Sequence, residues 1–308
     1  MEVIGVGDID VDIYLEVDHI PARDEKEMAK SVSFFPGGMV ANFLVALSRL
    51  GTSCGFHGPI GSDEFGDTAL RDLLSNNVDA SNMIIKSGKR TYFCVVMLDD
   101  SGEKALVVAP TECLSPEEND ISEDAIKAAK HLHTIFLGPA QAKAISIAHK
   151  NGMTVSVDFE PDSVRNSSNL NEVLSSTDIA FINQNALRLM SNYSDIADAA
   201  RDVLSRGPKI VCVTLGKQGS LIVAKTLSKV LQIRSFDVPV IDTTGAGDCF
   251  AAGFVHGFLK GWSLEYIGKF ASATAALKIT KMGGHAGAPL LDQVLAFLGE
   301  HEIFLLSD

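Results

Sequence analysis

Short apolar runs alternate with longer amphipathic segments through most of the chain. EVIGVG at residues 2–7 has the length of a buried strand, and HLHTIFLG at 131–138 and KIVCVTLG at 209–216 repeat the pattern. GMVANFLVALSRLG at 38–51 instead places apolar residues at helical spacing and ends at a glycine. Strands that alternate with helices of this length need crossover connections. The pattern therefore predicts an α/β fold with a mostly parallel sheet covered by helices on both faces.

Two segments break this alternation, at about residues 11–35 and 90–110. In each of them two strand-like runs follow one another without a helix, and DDSGE at 99–103 has the composition of a hairpin turn. These segments predict a small antiparallel sheet set apart from the main one. Because the chain shows no internal repeat and no long linker, we expect one domain that spans residues 1–308.

The composition narrows the class of protein. Hydrophobic residues make up 46% and charged residues 21% of the 308 positions, which is ordinary for a globular protein. A formal net charge of -13 argues against nucleic acid as a partner. The acidic N-terminus and the lack of a long apolar run argue against a signal peptide and a membrane span. Five cysteines without a CxxC pair suit reduced thiols, so we expect a cytoplasmic protein.

Two motifs suggest a cofactor or a metal but are incomplete. GVGDID at residues 5–10 half matches the dinucleotide fingerprint, yet Asp10 replaces the third glycine and a strand rather than a helix follows. His131 and His133 alternate on a predicted strand, as two metal ligands would. No further ligand has a familiar spacing to them, so we interpret both as half-exposed strand positions.

The stretch DTTGAGDCF at 242–250 has the features of an anion site. Its glycines let the backbone approach a ligand closely, and a helical pattern begins at once. The free N–H groups of Gly245, Ala246, Gly247 and Asp248 and the helix dipole would then favour a phosphate-like group. A carboxylate repels phosphate but, ionised at neutral pH, can take a proton from an attacking hydroxyl. The simpler alternative is that Asp248 only caps the helix.

Several motifs resemble one family. DTTGAGDCFAAGF at 242–254 is similar to the C-terminal signature of the ribokinase-like (PfkB) carbohydrate kinases, and GGMVANFLVALSRLG at 37–51 to the N-terminal one. GDIDVDIYLEV at 7–17, GPIGSDEFG at 58–66 and VTLGKQGS at 213–220 follow in the family's order. The resemblance implies a Rossmann-like three-layer core with an antiparallel β-sheet lid. It also implies ATP-dependent phosphorylation of a primary hydroxyl on a sugar or sugar-like molecule.

The resemblance assigns roles to individual residues. It makes Asp248 the catalytic base and Gly245, Ala246 and Gly247 the anion hole for the transferring phosphoryl group. Two glycines admit a polyol against bare backbone, and carboxylates and amides bond to its hydroxyls. The other implied positions are Asp10, Asp12, Gly37, Gly38 and Asn42 for the sugar, Asn183, Thr214, Gly216 and Gly219 for ATP, and Asp242 and Thr244 for the K⁺ ion of some relatives.

The chain also departs from the family. Where the family has N-x-x-E, which supports the magnesium water network, the chain reads NQNA, so Ala186 replaces the acid. Mg²⁺ with ATP is still expected, although no residue can be assigned as its direct ligand. Met39 and Gly138 replace a lysine and a sugar-binding glutamate of the ribose kinases, which makes ribose a poor candidate. VDFEP at 157–161 lacks the asparagine of the D-x-N pattern.

Two alternatives to a sugar kinase remain open. A nucleoside kinase would need an aromatic wall for the base, for which Phe34, Phe35 and Tyr92 are candidates. A catalytically silent sugar sensor is favoured by Ala186 and opposed by the intact Asp248. We also expect a homodimer through the lid, because strands such as YFCVVML at 92–98 are apolar on both faces and one face would remain uncovered.

Overall fold

The structure of the protein is a computed structural model that describes residues 1–101, 103–135, 138–167 and 169–305. Gly102 of the predicted turn, residues 136–137 of a predicted strand and the last three residues of the predicted domain lie outside the described part. None of the described helices is long and apolar enough to cross a membrane.

Strands and helices alternate along the described chain. The strands are β1 (Val3–Val6), β2 (Asp10–Glu16), β3 (Ser31–Gly37), β4 (Cys54–His57), β5 (Pro59–Gly61), β6 (Ile84–Lys86), β7 (Phe93–Leu98), β8 (Lys104–Ala109), β9 (His131–Ile135), β10 (Thr154–Phe159), β11 (Ile179–Asn183), β12 (Ile210–Thr214), β13 (Ser220–Ala224) and β14 (Leu231–Ile233). The helices are α1 (Met39–Arg49), α2 (Glu64–Ser75), α3 (Glu123–Lys127), α4 (Pro139–Lys150), α5 (Pro161–Arg165), α6 (Leu170–Ser175), α7 (Gln184–Met190), α8 (Ile196–Ser205), α9 (Ala246–Leu259), α10 (Leu264–Lys278), α11 (Gly284–Gly287) and α12 (Leu291–Glu300).

The main sheet has eight strands in the order β14-β13-β12-β11-β10-β9-β1-β4. The pairs from β4 to β12 are parallel, and β13 and β14 add an antiparallel edge. Successive side chains of a strand point to opposite faces, so Phe181 joins the apolar core beside α1 and α9, whereas Ile182 joins the core beside α4, α7 and α8. The predicted three-layer α/β fold with a mostly parallel sheet is therefore confirmed.

A separate four-stranded sheet has the order β3-β2-β7-β8. Its two hairpins, β2 with β3 and β7 with β8, are antiparallel, and a parallel pairing of β2 with β7 joins them. The predicted small separate sheet is thus present, and we call these four strands the lid. Asp10, Asp12 and Tyr14 share one face of β2 by alternation, and Ile13 and Leu15 share the other.

His131 and His133 lie on β9, between β1 and β10 in the middle of the main sheet. Both side chains are buried, and their ring nitrogens bond to the hydroxyls of Thr154 and Ser156. Burial lowers the pKa of His131 to about 4, so the ring is neutral at physiological pH. The prediction of half-exposed positions is wrong, because helices cover both faces of this strand.

All five cysteines are free and buried, which agrees with the expected reduced thiols. Cys94 lies on β7 in the lid, whereas Cys212 lies on β12 in the main sheet. Burial raises the pKa of the Cys94 thiol to about 12 and that of Cys212 well above its ordinary value.

Candidate active site

The predicted anion site lies at the N-terminus of α9. Gly245 takes the left-handed conformation (φ 76°) that glycine adopts at low cost, and it precedes the first helical residue, Ala246. No side chain caps this end of the helix, so the alternative that Asp248 only caps the helix is not supported. The N–H of Ala246 donates to the carbonyl oxygen of Thr243 at 3.2 Å, so the expectation that this group is free is wrong. The other N–H groups of the first turn are the donors that a helix start offers to an anion.

Asp248 is buried and contacts the predicted sugar site directly. The side-chain amide of Asn42 on α1 donates a hydrogen bond to Asp248 Oδ2 at 2.8 Å. Burial raises the pKa of Asp248 to about 8, against the bond from Asn42, and the charges of Asp8 and Glu160 add to the rise. The group expected to be ionised at neutral pH is thus mostly protonated in the free protein. A base acts best when its pKa lies near the working pH.

The predicted sugar residues meet where the lid joins α1. Asp10 pairs with Gly37 across β2 and β3, and a side chain at Gly37 would collide with the carboxylates of Asp10 and Asp12. Gly38, which precedes α1, has a φ of 95°. Asp10 Oδ1 and Asn42 Oδ1 are buried and, within the described part of the chain, have no hydrogen-bond partner. Buried polar atoms of this kind indicate a site for a polar ligand.

Carboxylates are crowded in this site. Burial, and then the charges of Asp12 and Asp8, raise the pKa of Asp10 well above its ordinary value. Burial and the charge of Asp242 raise the pKa of Asp12 to about 6. Asp10, Asp12 and Cys94 place ligand atoms within 4.8 Å of one another, a spacing that a metal ion could use. The raised pKa values favour protonated groups, which suit the hydroxyls of a sugar better than a cation.

Asp8, a residue that the sequence analysis did not identify, orients α1. Its carboxylate accepts hydrogen bonds from the backbone N–H groups of Met39 and Val40 at 3.1 and 3.0 Å. These N–H groups have no partner within the helix, so Asp8, which follows β1, fixes the start of α1 beside that strand. Because Asn42 lies one turn further on, its amide is held toward Asp248.

A cavity of about 670 Å³ adjoins the anion site. Thr214, Gly216 and Gly219 line it together with Ala246 and Gly247, which brings the predicted ATP turn next to the anion hole. The volume falls within the range of ligand pockets. Residues 283–289 (GGHAGAP), which resemble the family's segment near the adenine, do not line this cavity. Small residues on one face of α10, which sequence reasoning did not identify, provide further space: Ser272, Ala275 and Ala276.

Asn183 lies outside the cavity lining, at the end of β11. Its side-chain oxygen caps α7 by accepting from the Ala186 N–H at 2.9 Å, and its amide donates to Glu160 Oε1 at 3.2 Å. Ala186 is fully buried in the apolar core. Glu160, which follows β10, therefore supplies a carboxylate beside Asn183 where the N-x-x-E acid is missing. The sequence indicated this residue only indirectly, because VDFEP has Glu160 where the D-x-N pattern of other members has an asparagine.

Asp242 and Thr244 lie on the loop that leads to the anion hole. The Asp242 carboxylate accepts from the N–H groups of Thr244 and Gly283 at 3.0 and 2.9 Å. Lys104 reaches this loop from the lid, and its ammonium donates to Thr244 Oγ1 at 3.1 Å. Lys278 approaches Asp242 from α10. Neither lysine was identified from the sequence.

The buried Asp248 at the N-terminus of α9, with a large cavity on one side and buried polar groups on the other, has the layout of a phosphotransferase site. The model of the pfkB family carbohydrate kinases matches residues 2–290, and the chain belongs to this family. The prediction of an ATP-dependent carbohydrate kinase is confirmed. The roles of individual site residues stay predictions.

The chain is similar to several kinases over nearly its whole length. It is 33% identical to an ATP-dependent ribose-1-phosphate kinase from Halopiger xanaduensis, covering 97% of this chain and 99% of the relative. Ribokinase from Haemophilus influenzae is 29% identical, over 96% and 97% of the two chains. Among solved structures, Arabidopsis thaliana ribokinase complexed with ribose and ATP superimposes with a TM-score of 0.82 at 25% identity, covering 96% and 98%. An Escherichia coli protein described as a ribokinase II, complexed with ATP and Mg²⁺, superimposes with a TM-score of 0.85 at 25% identity, covering 97% of this chain and 99% of the other.

Proposed function

We propose that the chain transfers the γ-phosphoryl group of ATP to a primary hydroxyl of a sugar held between the lid and α1. The hydrogen bond from Asn42 to Asp248 carries this proposal, because it joins the sugar site to the acid at the anion hole. Asp10 and Asp12 would hold the sugar hydroxyls. Thr214 and the turn that follows it would support the nucleotide.

In this mechanism Asp248 takes the proton of the attacking sugar hydroxyl. The oxygen of that hydroxyl bonds to the γ-phosphorus, while the bond between the γ-phosphorus and the oxygen that leaves with ADP breaks. The N–H groups of Gly245 and Gly247 would stabilise the negative charge on the transferring group, joined by that of Ala246 when it releases the Thr243 carbonyl. Mg²⁺ bound with ATP would offset further charge, and the carboxylate of Glu160 and the amide of Asn183 are of the donor type that would hold its water shell.

We propose a phosphorylated pentose as the acceptor. The relative at 33% identity is a ribose-1-phosphate kinase, and free ribose is disfavoured by Met39 and Gly138. Lys104 supports this choice, because it extends from the lid to the loop at Thr244 and its charge lowers the pKa of Asp12 against the effect of burial. A phosphate on a sugar bound at Asp12 would therefore meet a cation.

The alternative of a nucleoside acceptor has less support. Phe34 pairs with Ile13 and lies 55% exposed on the outer face of the lid, whereas Phe35 lies on the inner face. Tyr92 is buried, and its hydroxyl bonds to Cys94. The three rings therefore do not form one wall. The intact Asp248 together with Glu160 also favours an enzyme over a silent sensor.

ATP consumption measured with ribose, ribose-1-phosphate, fructose and nucleosides tests the proposal. We expect kcat/KM for ribose-1-phosphate to exceed the value for ribose by about tenfold or more, because a charge-assisted contact contributes about 1.5–3 kcal/mol. Lys104→Met should raise KM for the phosphorylated sugar and leave KM for ATP nearly unchanged. A nucleoside as the best acceptor would contradict the assignment.

We also propose a homodimer through the outer face of the lid. This face carries Ile13 and Leu15 on β2, Val32 and Phe34 on β3, and Val107 on β8. Val32, Phe34 and Val107 are 53%, 55% and 55% exposed. A contiguous apolar sheet face of this kind is typical of an interface.

A further inference from the structure

Lys278 is a lysine in an unusual place. It is the last residue of α10, its side chain is fully buried, and the helix around it is largely apolar. Lysine is almost never fully buried unless it is paired, because desolvating an ammonium group is costly. Gly287 packs against the aliphatic part of the side chain, where an added Cβ would lie 3.0 Å from Lys278 Cε. The fold thus encloses both the stem and the charge.

Oxygen atoms surround the ammonium group. Lys278 Nζ donates to the carbonyl oxygen of Asp242 at 2.9 Å and lies 3.6 Å from Asp242 Oδ2. The carbonyl oxygen of Lys281 is 3.5 Å away. Carbonyl and carboxylate oxygens are the donors that bind K⁺ in proteins. The position beside Asp242 that a monovalent cation would take therefore already holds a positive charge.

The remaining contacts of Asp242 leave it well satisfied. Its carboxylate accepts from the N–H groups of Thr244 and Gly283 and from the Tyr14 hydroxyl, and Lys104 Nζ lies 3.7 Å away. Although burial acts to raise the pKa of Asp242, these bonds and the Lys278 charge hold it below its ordinary value. Burial lowers the pKa of Lys278, and Asp242 partly offsets this effect. The K⁺ ion implied for Asp242 and Thr244 does not fit this arrangement.

We propose that the Lys278 ammonium is a built-in monovalent cation, so that this kinase needs no K⁺. The bond to the Asp242 carbonyl fixes the loop three residues before Gly245, where the anion hole begins. The charge also neutralises an acid close to the phosphates of ATP. This inference rests on the proposed function for its link to catalysis, but the cation site itself can be tested without turnover.

The wild-type protein is tested first by its thermal unfolding midpoint and its Kd for ATP with Mg²⁺, each in KCl, NaCl and choline chloride at equal ionic strength. We expect the same midpoint and the same Kd in all three salts. A saturable rise of the midpoint or a tighter Kd with K⁺ alone would overturn the proposal.

Lys278→Ala leaves room beside Asp242 and should weaken ATP binding by about tenfold or more, because the variant loses both the bond that fixes the loop before the anion hole and the charge beside Asp242. Ethylammonium, or K⁺, should restore the unfolding midpoint and ATP affinity of this variant saturably. Lys278→Met fills the space without a charge and should not be rescued. Lys269→Met, which removes a half-exposed lysine of the same helix, should behave like the wild type.

Absence of any saturable rescue of Lys278→Ala would overturn the cation site. These readouts need no acceptor sugar. If the wild type phosphorylates none of the sugars but the rescue is observed, the proposed function fails while the cation site stands.

Discussion

At the scale of the residue, the surroundings of Asp248 determine when it can act as a base. Burial and the charges of Asp8 and Glu160 raise its pKa to about 8, so the free enzyme gains the reactive carboxylate only as the pH rises toward that value. A general base is active above its pKa and loses activity as the pH falls through that value. We therefore expect kcat/KM to rise with pH up to about 8.

Replacing this acid tests both the role and the pH dependence. Asp248→Asn should lower kcat by about 100-fold or more, because general-base catalysis contributes on that scale. The residual activity should lose its rise with pH. Kd for ATP should stay nearly equal at neutral pH, because Asp248 is mostly protonated there, and become slightly tighter only above about pH 8, where the substitution removes a negative charge. Near wild-type turnover at saturating substrates would exclude Asp248 as the base.

Glu160 offers a second test at this scale. Glu160→Gln removes one of the charges that raise the pKa of Asp248, so the rise of kcat/KM should shift to lower pH. It also removes a carboxylate beside Asn183, so half-maximal activity should require more free Mg²⁺. Titrations of pH and of Mg²⁺ measure the two effects separately. A variant unchanged in both would show that Glu160 is structural only.

Local sequence could predict the glycines, Asp248 and Asn42, because their motifs are continuous and specific. It could not predict the contacts of Asp8, Glu160, Lys104 or Lys278. Each acts on a partner that is distant in the chain, such as Lys278 on Asp242, 36 positions apart. A lysine inside an apolar helical segment was nevertheless a signal that a buried partner was needed.

At the scale of the element, the packing of α7 determines what the position of the N-x-x-E acid can hold in this chain. Ala186 is the third residue of this helix and is fully buried against the apolar core. Asn183 caps the same helix and holds Glu160. Glu160, at the end of the neighbouring strand β10, is therefore the acid that we propose in place of the one that α7 lacks.

We expect Ala186→Glu to bring no gain. A carboxylate at this buried position should lower the free energy of unfolding by about 3 kcal/mol and should not reduce the Mg²⁺ requirement. Ala186→Gln is the matched control, since it adds similar volume without a charge. A clear drop in the Mg²⁺ needed by the glutamate variant, compared with the glutamine variant and the wild type, would show that the expectation is wrong.

The alternation of patterns predicted the main strands and helices correctly, because each pattern has its own period. It also predicted two hairpins in the lid. The parallel pairing of β2 with β7 was not predictable, because it joins residues about 80 positions apart through pairs such as Asp12 with Cys94. A period of two shows which residues share a face, but not which strand lies beside them.

At the scale of the whole molecule, the apolar outer face of the lid predicts a dimer. Phe34→Glu places a charge in that face and should convert the dimer to a monomer at micromolar concentration, as measured by light scattering. Leu106→Glu is a matched control, because Leu106 is equally exposed, at 55%, but lies on the inner face. A wild-type protein that is monomeric under these conditions would remove the dimer proposal.

The five buried thiols allow local opening of the native protein to be measured by alkylation. Alkylation by iodoacetamide needs an exposed thiolate, so each cysteine reacts only while its surroundings open. Cys94 lies in the lid and Cys212 in the main sheet, and we expect Cys94 to be alkylated first. ATP together with a sugar acceptor should slow the labelling of Cys94 while leaving that of Cys212 less affected. Mass spectrometry of the labelled peptides would then time the opening of the lid separately from the unfolding of the core.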